Sequence, residues 1–315
     1  MKNKARIAVA SRSFSRHPVL RRELLERYEN VTFNDQGASL SGESLIAFLR
    51  GHEKAVTALE RLDKGLFAAL PELRVISKYG VGLDMIDLPA MEASGVALGW
   101  TGGVNRRSVA ELTIAAAVAL LHKTPQACRA VQAGGWRQIM GRELSSSTVG
   151  IVGCGHIGKE VARLLRAFGC RVLAHDILDF PEFYAANTVS PMALEEMLPL
   201  ADVVTLHLPL DDSTLNILDA RRLELMKTGA CLINYARGGL ADEAALKRML
   251  LDGRLSGAAL DVFRDEPPTD MELVHLPNVL VTPHIGGSTE EAVLAMGRAA
   301  IAGLDAALPP SRHEF

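Results

Sequence analysis

The stretch TVGIVGCGHIGKEVARLL, residues 148–165, runs a β-branched apolar segment straight into three glycines and then into a helical pattern. Gly153 suits the tight turn that leaves a strand. Gly155 lets backbone approach a pyrophosphate, and Gly158 permits helix and strand to touch. The phosphates would then sit at a helix N-terminus, whose free N–H groups and dipole favour anions. The next strand, RVLAHD, ends at Asp176, eighteen residues after Gly158. A carboxylate there can accept both hydroxyls of an adenosine ribose and repels a 2′-phosphate. Strand, glycines, helix, strand and acid in that order predict a dinucleotide fold selective for NAD, against a dry glycine turn beside a surface aspartate. Within the loop, His156 is expected as a rim contact to the pyrophosphate and Cys154 as a small residue under the cofactor.

On the C-terminal side, DVVTLHL (202–208), ACLINYA (230–236), GAALDVF (257–263) and VLVTP (279–283) read as further strands, spaced by helices or connections. On the N-terminal side, VNRRSVAELTIAAAVALLHK (104–123) reads as a long helix whose Ala-rich centre suits close packing. Before it, ARIAVA (5–10), LRVISK (73–78) and GVALGW (95–100) read as strands, with helical segments around 18–28, 43–50 and 62–70. Strands alternating with helices predict parallel sheets covered on both faces. The last helical stretch, 288–307, is long enough to return to the first half. The expected architecture is α/β with two doubly wound parallel-sheet domains, one interrupted by the other. Residues 1–101 plus 287–315 would be the substrate domain, and the Rossmann domain, 102–286, is inserted into it.

The 315 residues are 48% hydrophobic and 23% charged, with a net charge of −3 and both signs mixed along the chain. That balance leaves no electrostatic footprint for nucleic acid or an anionic membrane. Four widely spaced cysteines, Cys128, Cys154, Cys170 and Cys231, form no CxxC pair, which argues against disulfides or a zinc site and fits a reducing compartment. The N-terminus MKNKARIAVASRSF has only a short apolar run and reads as a first strand, not a signal peptide. The longest apolar run, LTIAAAVALL (112–121), is too short to span a bilayer. A soluble, cytoplasmic protein is expected.

Three later segments carry chemistry: INYARGG (233–239), LDVFRDEPP (260–268) and TPHIGG (282–287). Ligands of doubly wound sheets sit outside the carboxyl ends of strands, so Arg237, Glu266 and His284 can converge there. Each has a plainer alternative: Arg237 as a helix-capping cation, Glu266 as a solvated loop acid, His284 as a structural residue. Together they are the parts for reducing a 2-oxo acid. A fixed guanidinium orients a carboxylate bidentately, an imidazolium gives its proton to the forming alkoxide, and a carboxylate behind the ring keeps it charged and aligned. No metal is needed.

NYARGG, GAALDVFRDEPP and LVTPHIGGST, with KYGVGLD (78–84), VAEL (109–112) and GCGHIG, resemble the D-isomer-specific 2-hydroxyacid dehydrogenase family, of the phosphoglycerate dehydrogenase and hydroxypyruvate reductase type. The resemblance covers nearly the whole chain, in order. It implies that Arg237 is the essential arginine, Glu266 the acid paired with the histidine, and His284 the proton donor. It further implies that the loop Tyr79, Gly80, Val81, Gly82 presents backbone N–H groups to a substrate carboxylate. Asn105 and Ser108 would lie beside an interdomain cleft. For NAD it implicates Ile157, Asp176, His207, Pro209, Thr214, Tyr235, Ala236, Asp261, Gly286 and Gly287. The segment AGGWRQIMGREL (133–144) resembles the arm through which family members form homodimers, with Trp136 as an interface anchor.

Departures from the family pattern sit on the substrate side. Where many members read GxDNID this chain has Gly82-Leu-Asp84-Met85-Ile-Asp87, and Thr57 stands where phosphoglycerate dehydrogenases grip the phosphate with an arginine. Lys78, Arg106 and Arg107 remain as cations near the cleft motifs. The expectation is an NAD-dependent enzyme for an unphosphorylated 2-oxo acid such as hydroxypyruvate or glyoxylate, with D-3-phosphoglycerate dehydrogenase as the alternative. A remoter alternative is an NAD-sensing interaction protein of the corepressor type, although those carry long flexible extensions.

Overall fold

Consecutive side chains of a strand point to opposite sides of the sheet, so a strand that is apolar at successive positions must be covered on both faces. Both halves of this chain meet that condition. The computed structural model describes residues 2–313, and the chain divides into two compact units, one running to Asn105 and resuming at Glu290, the other Arg106–Thr289. The first contains β1 (Asn3–Val9), β2 (Tyr28–Phe33), β3 (Lys54–Thr57), β4 (Val75–Lys78) and β5 (Ala97–Gly99), in the parallel order β2-β1-β3-β4-β5. Ile7, Val9 and Val56 face one layer with Phe14, Leu20 and Leu24. Ala8, Ala55 and Ile76 face the other with Leu45, Leu49 and Phe67.

The second unit contains β6 (Thr148–Val152), β7 (Arg171–His175), β8 (Val189–Pro191), β9 (Val203–Leu206), β10 (Cys231–Asn234), β11 (Gly257–Leu260) and β12 (Val279–Val281). All pairs are parallel, in the order β12-β11-β10-β9-β6-β7-β8. Val149, Ile151, Val203, Cys231, Ile233 and Ala259 pack under the helices Arg106–Leu121 and His156–Phe168. Val152, Val204, Leu232 and Ala258 fill the opposite layer. The chain leaves β6 towards β7 on one side and returns to β9 on the other, so the crevice of the topological switch lies at the carboxyl ends of β6 and β9.

Several boundaries differ from the expected ones. The units part at 105/106 and 289/290 rather than 101/102 and 286/287, because each crossing falls where a helix starts, at Arg106 and Glu290. Tyr28 opens β2 instead of closing the helix Pro18–Arg27. β2, β3 and β8 were not foreseen. β2 and β8 are sheet edges with one buried side chain each, so they lack an apolar run, and β3 is only KAVT. Among the described residues no helix is long and apolar enough to cross a membrane.

The helix Glu290–Gly303 closes the first unit over β4 and β5. Ser77 Oγ donates to Ala300 O at 2.6 Å, and Ile301 and Leu304 join the layer beneath β1. Its end meets β5 so closely that a Cβ on Gly99 would stand 2.4 Å from Gly303 O. Gly99→Ala is therefore expected to destabilise the protein by about 1–3 kcal/mol through overpacking, read as a lower urea midpoint. An unchanged midpoint would mean that the helix yields freely and does not fix the sheet.

Candidate active site

Each of the three glycines after β6 is required by a different physical constraint. Gly153 has φ +94°, and a Cβ there would stand 2.7 Å from His207 O. At Gly158 a Cβ would stand 2.0 Å from Gly153 O, so only glycine lets the helix His156–Phe168 start against the turn. Gly155 has neither constraint: its φ is −75°, and no heavy atom lies within 4 Å of the added carbon. A side chain there would fit the protein but fill the space through which an anion reaches the helix. That helix has no side-chain cap at its N-terminus, so its first N–H groups remain for a phosphate. His156 is exposed at its first position, with Ile157 next to it.

Asp176 directly follows β7. Its Oδ2 accepts from Cys154 N at 2.6 Å and its Oδ1 from Leu178 N at 2.9 Å, which ties the carboxylate to the glycine loop. Cys154 is buried, and burial together with the nearby Asp176 charge pushes its thiol up to about 11, so it stays protonated at neutral pH and packs as a small apolar residue. At the end of β9, burial pushes His207 down to about 3. Its Nε2 lies 3.0 Å from Thr205 Oγ1, and its Nδ1 is buried without a partner among the described residues. Thr214 Oγ1 donates to Pro209 O at 2.8 Å and closes the turn that follows.

Arg237, Glu266 and His284 follow β10, β11 and β12, three adjacent strands. The turn after β10 is shaped by Asn234, a residue that the sequence reading passed over. Its Nδ2 donates to Arg237 O at 2.8 Å and its Oδ1 accepts from Ala236 N at 3.2 Å. An Asn at a strand end can fold the following residues onto its own amide, and that was the available signal. Tyr235 and Ala236 are buried in this turn.

The turn after β12 is organised by Asp261, 1% exposed at the end of β11. Its Oδ1 accepts from Thr282 Oγ1 at 2.6 Å and from Ile285 N at 2.7 Å, and its Oδ2 accepts from Gly286 N at 2.7 Å. Its carbonyl accepts from His284 N at 2.9 Å. These bonds hold His284 in the left-handed region at φ +55°, a strain on the order of 1–3 kcal/mol for a non-glycine residue. His284 Nδ1 meets Glu266 Oε2 at 2.8 Å, and Phe263 N donates to Glu266 Oε1 at 3.2 Å. An ionised carboxylate only accepts, so Nδ1 carries the proton of that bond and Nε2 is left to face a reactant. The two side chains are 48% and 40% exposed, open to a ligand.

The expected substrate residues divide between the units. In the first, Tyr79 N donates to Thr57 O at 2.7 Å, so within the expected anion loop that N–H is spent on the sheet. The Tyr79 ring is buried edge-on to Phe14, while Gly80 takes φ +131° and Val81 O accepts from Trp100 Nε1 at 2.8 Å. Gly82 follows and Asn105 ends the unit, both half-buried. In the second, Ser108 is buried and donates to Gly286 O at 2.6 Å, fixing the glycine pair with Gly287 against the helix Arg106–Leu121.

A seven-stranded parallel sheet with this loop at its switch point defines a dinucleotide-binding protein, and the open Gly155, the uncapped helix and the anchored Asp176 fit NAD. Residues 114–286 match the family described as D-isomer specific 2-hydroxyacid dehydrogenase, NAD binding domain, and the chain belongs to that family. It is 40% identical over 257 residues to D-3-phosphoglycerate dehydrogenase of Rattus norvegicus, covering 81% of this chain and 48% of that protein. The chain thus spans about half the length of the curated relatives it matches. Among solved structures, D-lactate dehydrogenase from Aquifex aeolicus complexed with NAD and lactic acid superimposes with a TM-score of 0.82 at 28% identity, covering 95% of this chain and 94% of that one. A glyoxylate reductase from Paecilomyes thermophila gives 0.85 at 26% identity, with coverage of 95% and 94%.

Desolvation of the half-buried His207 ring has a measurable consequence. The unfolded ring takes up a proton near its ordinary value of about 6.5 while the folded ring refuses it until far lower pH, so stability is complete above that value and falls as pH drops below it. Between pH 6.5 and 4, wild type should lose up to ~1.4 kcal/mol per pH unit more than His207→Asn. A stability difference between the two proteins that stays constant over this pH range would refute the neutral ring.

Proposed function

We propose that the protein is an NAD-dependent oxidoreductase that interconverts a 2-oxo acid and its D-2-hydroxy acid. The observation that carries this reading is the His284–Glu266 pair, 2.8 Å apart, on the loops that follow β12 and β11, the two strands next in order to β10, whose following turn holds Arg237. Bound at the glycine loop, NADH supplies the hydride in reduction and NAD accepts it in oxidation. The pyrophosphate would be held by backbone N–H groups at Gly155, Ile157 and Gly158, with Gly153 forming the turn beneath and His156 at the rim, and the ribose hydroxyls by Asp176. His207, Pro209, Thr214, Tyr235, Ala236, Gly286 and Gly287 would border the rest of the dinucleotide, and Asp261 would act on it through the turn that it fixes.

Arg237 grips the carboxylate and carbonyl of the substrate, a charge-assisted and bidentate contact. Within the second unit, Ser108 supports this site by fixing Gly286. As negative charge grows on the carbonyl oxygen, Nε2 of the protonated His284 gives it a proton, and Glu266 holds the ring in orientation and stabilises its charge. In oxidation the same nitrogen takes the proton back. No step needs a metal ion.

The favoured substrate is unphosphorylated, of the hydroxypyruvate or glyoxylate type. Thr57 is buried in β3, and just after it Glu60 Oε2 accepts from Ala58 N, so the loop fills a possible anion position with its own carboxylate. Lys78 is buried and donates to Ala58 O. Arg107 is engaged by Glu111 at 2.6 Å and Glu160 at 2.9 Å. A second reading, D-3-phosphoglycerate dehydrogenase, is favoured by the name of the Rattus norvegicus relative. With NADH, the phosphate ester is expected to fall roughly tenfold or more in kcat/KM below an enzyme that has the arginine, the scale of one missing charge-assisted bond, and hydroxypyruvate is expected to be the preferred of the two here. A preference for the ester that disappears in Arg106→Ala would establish the second reading. His284→Ala should lower kcat by at least ~100-fold with NADH affinity near wild type, and retained activity would remove the histidine from the reaction.

A homodimer is proposed from the segment 133–144, where Trp136 and Met140 are 89% and 88% exposed. Large apolar side chains so open to water are suited to an interface. Trp136→Ala should halve the mass measured by light scattering at micromolar concentration, and a monomeric wild type would end the idea.

A further inference from the structure

The loop between β11 and the helix Met271–His275 carries Glu266 yet contains no strand or helix of its own. What fixes it comes from outside. Glu243 Oε1 accepts from Arg264 N at 2.8 Å, across 21 residues of sequence. The adjoining peptide is also pressed by Gly238, the residue after Arg237, where a Cβ would stand 1.9 Å from Phe263 O and 2.5 Å from Arg264 N. Phe263 N, on the other side of the same residue pair, donates to Glu266 Oε1, and Glu266 Oε2 meets His284. Glu243, the 263–264 peptide, Glu266 and His284 are therefore one connected chain, and Gly238 joins it to the turn of Arg237.

We infer that Glu243 is a positioning residue for the Glu266–His284 pair, holding the 263–264 peptide so that Glu266 presents one oxygen to the imidazole. The inference rests on the proposed reaction. A role in its own helix does not account for this placement. Glu243 stands at the first position of the helix Glu243–Leu251, but Asp242 already caps that helix through Ala245 N at 3.0 Å. The carboxylate of Glu243 instead leaves the helix to bind a backbone N–H of another segment. Burial pushes this carboxyl above the ordinary glutamate range, with Asp265 and Asp270 adding to the shift and Arg264 opposing it. Asp270 is itself paired with Lys247 at 2.7 Å, and Arg264 and Asp265 act on Glu243 with opposite signs. A half-buried acid of this kind is costly unless its bond to Arg264 N is made.

The test compares Glu243→Ala, Glu243→Gln and Glu266→Gln in the full chain. The readouts are the pH profile of kcat/KM for reduction, the KM for NADH, and the NMR titration of the His284 ring in the absence of cofactor. Glu266→Gln should move the high-pH limb of reduction down by about one pH unit, because the imidazolium loses its anionic partner. Glu243→Ala should move it in the same direction by about half as much, with the ring titration following and the KM for NADH near wild type. Glu243→Gln keeps an acceptor oxygen and should restore the limb. Should Glu243→Ala fail to fold, Glu243→Asp, one methylene short of Arg264 N, serves in its place. A variant with a lowered melting temperature but the wild-type limb and ring titration would overturn the inference and leave Glu243 a structural residue. If Glu266→Gln itself leaves the limb in place and His284→Ala stays active, the proposed reaction fails instead.

Discussion

A carboxylate almost wholly removed from water lies beneath the turn that bears His284, and the rest of the site depends on it. Asp261 takes one hydroxyl and two backbone N–H groups on its two oxygens. Charge-assisted bonds of about 1.5–3 kcal/mol each offset a desolvation penalty of several kcal/mol. The same bonds stabilise the left-handed backbone at His284. Freed of them, the ring would relax to an ordinary conformation and leave Glu266. The sheet matters because it places β11 beside β12, so that an acid at the end of one strand can organise the turn at the end of the next.

The glycine loop answers a different requirement. Two of its glycines are demanded by the protein alone, one by a positive φ and one by contact with backbone. The middle glycine has no heavy atom within 4 Å of an added Cβ, which leaves room for an anion at the helix N-terminus. The loop sits at the switch between β6 and β9, where neighbouring connections diverge and a crevice must form. In the proposed binding mode, helix N-terminus, crevice and anchored Asp176 would act on one dinucleotide.

Much of this was legible in the chain because it is local. A strand, three glycines at fixed offsets, a helix and an acid after the next strand are sequence features with one backbone solution, and Gly153, Gly158 and Asp176 lie as that solution requires. His284 at the end of an apolar run, Glu266 before two prolines and Arg237 before two glycines could likewise be read as strand-end residues. β2 and β8 could not, because an edge strand buries too little to impose an apolar pattern on its side chains. Nor could the loss of the Tyr79 N–H to Thr57, a hydrogen bond between residues of adjoining strands that no spacing encodes.

The sequence by itself determined two parallel sheets, the dinucleotide loop, and the residue types that end β10, β11 and β12. Only tertiary structure decided which partner each of those residues takes. Asp261 reads along the chain as one more strand-end acid until β12 is laid beside β11, and Glu243 as an ordinary first-turn acid until its oxygen meets Arg264 N. Periodicity reports which side of an element faces the core, whereas a hydrogen bond across 21 or 25 residues depends on how strands are ordered and registered, and that is set by the packing of the whole sheet.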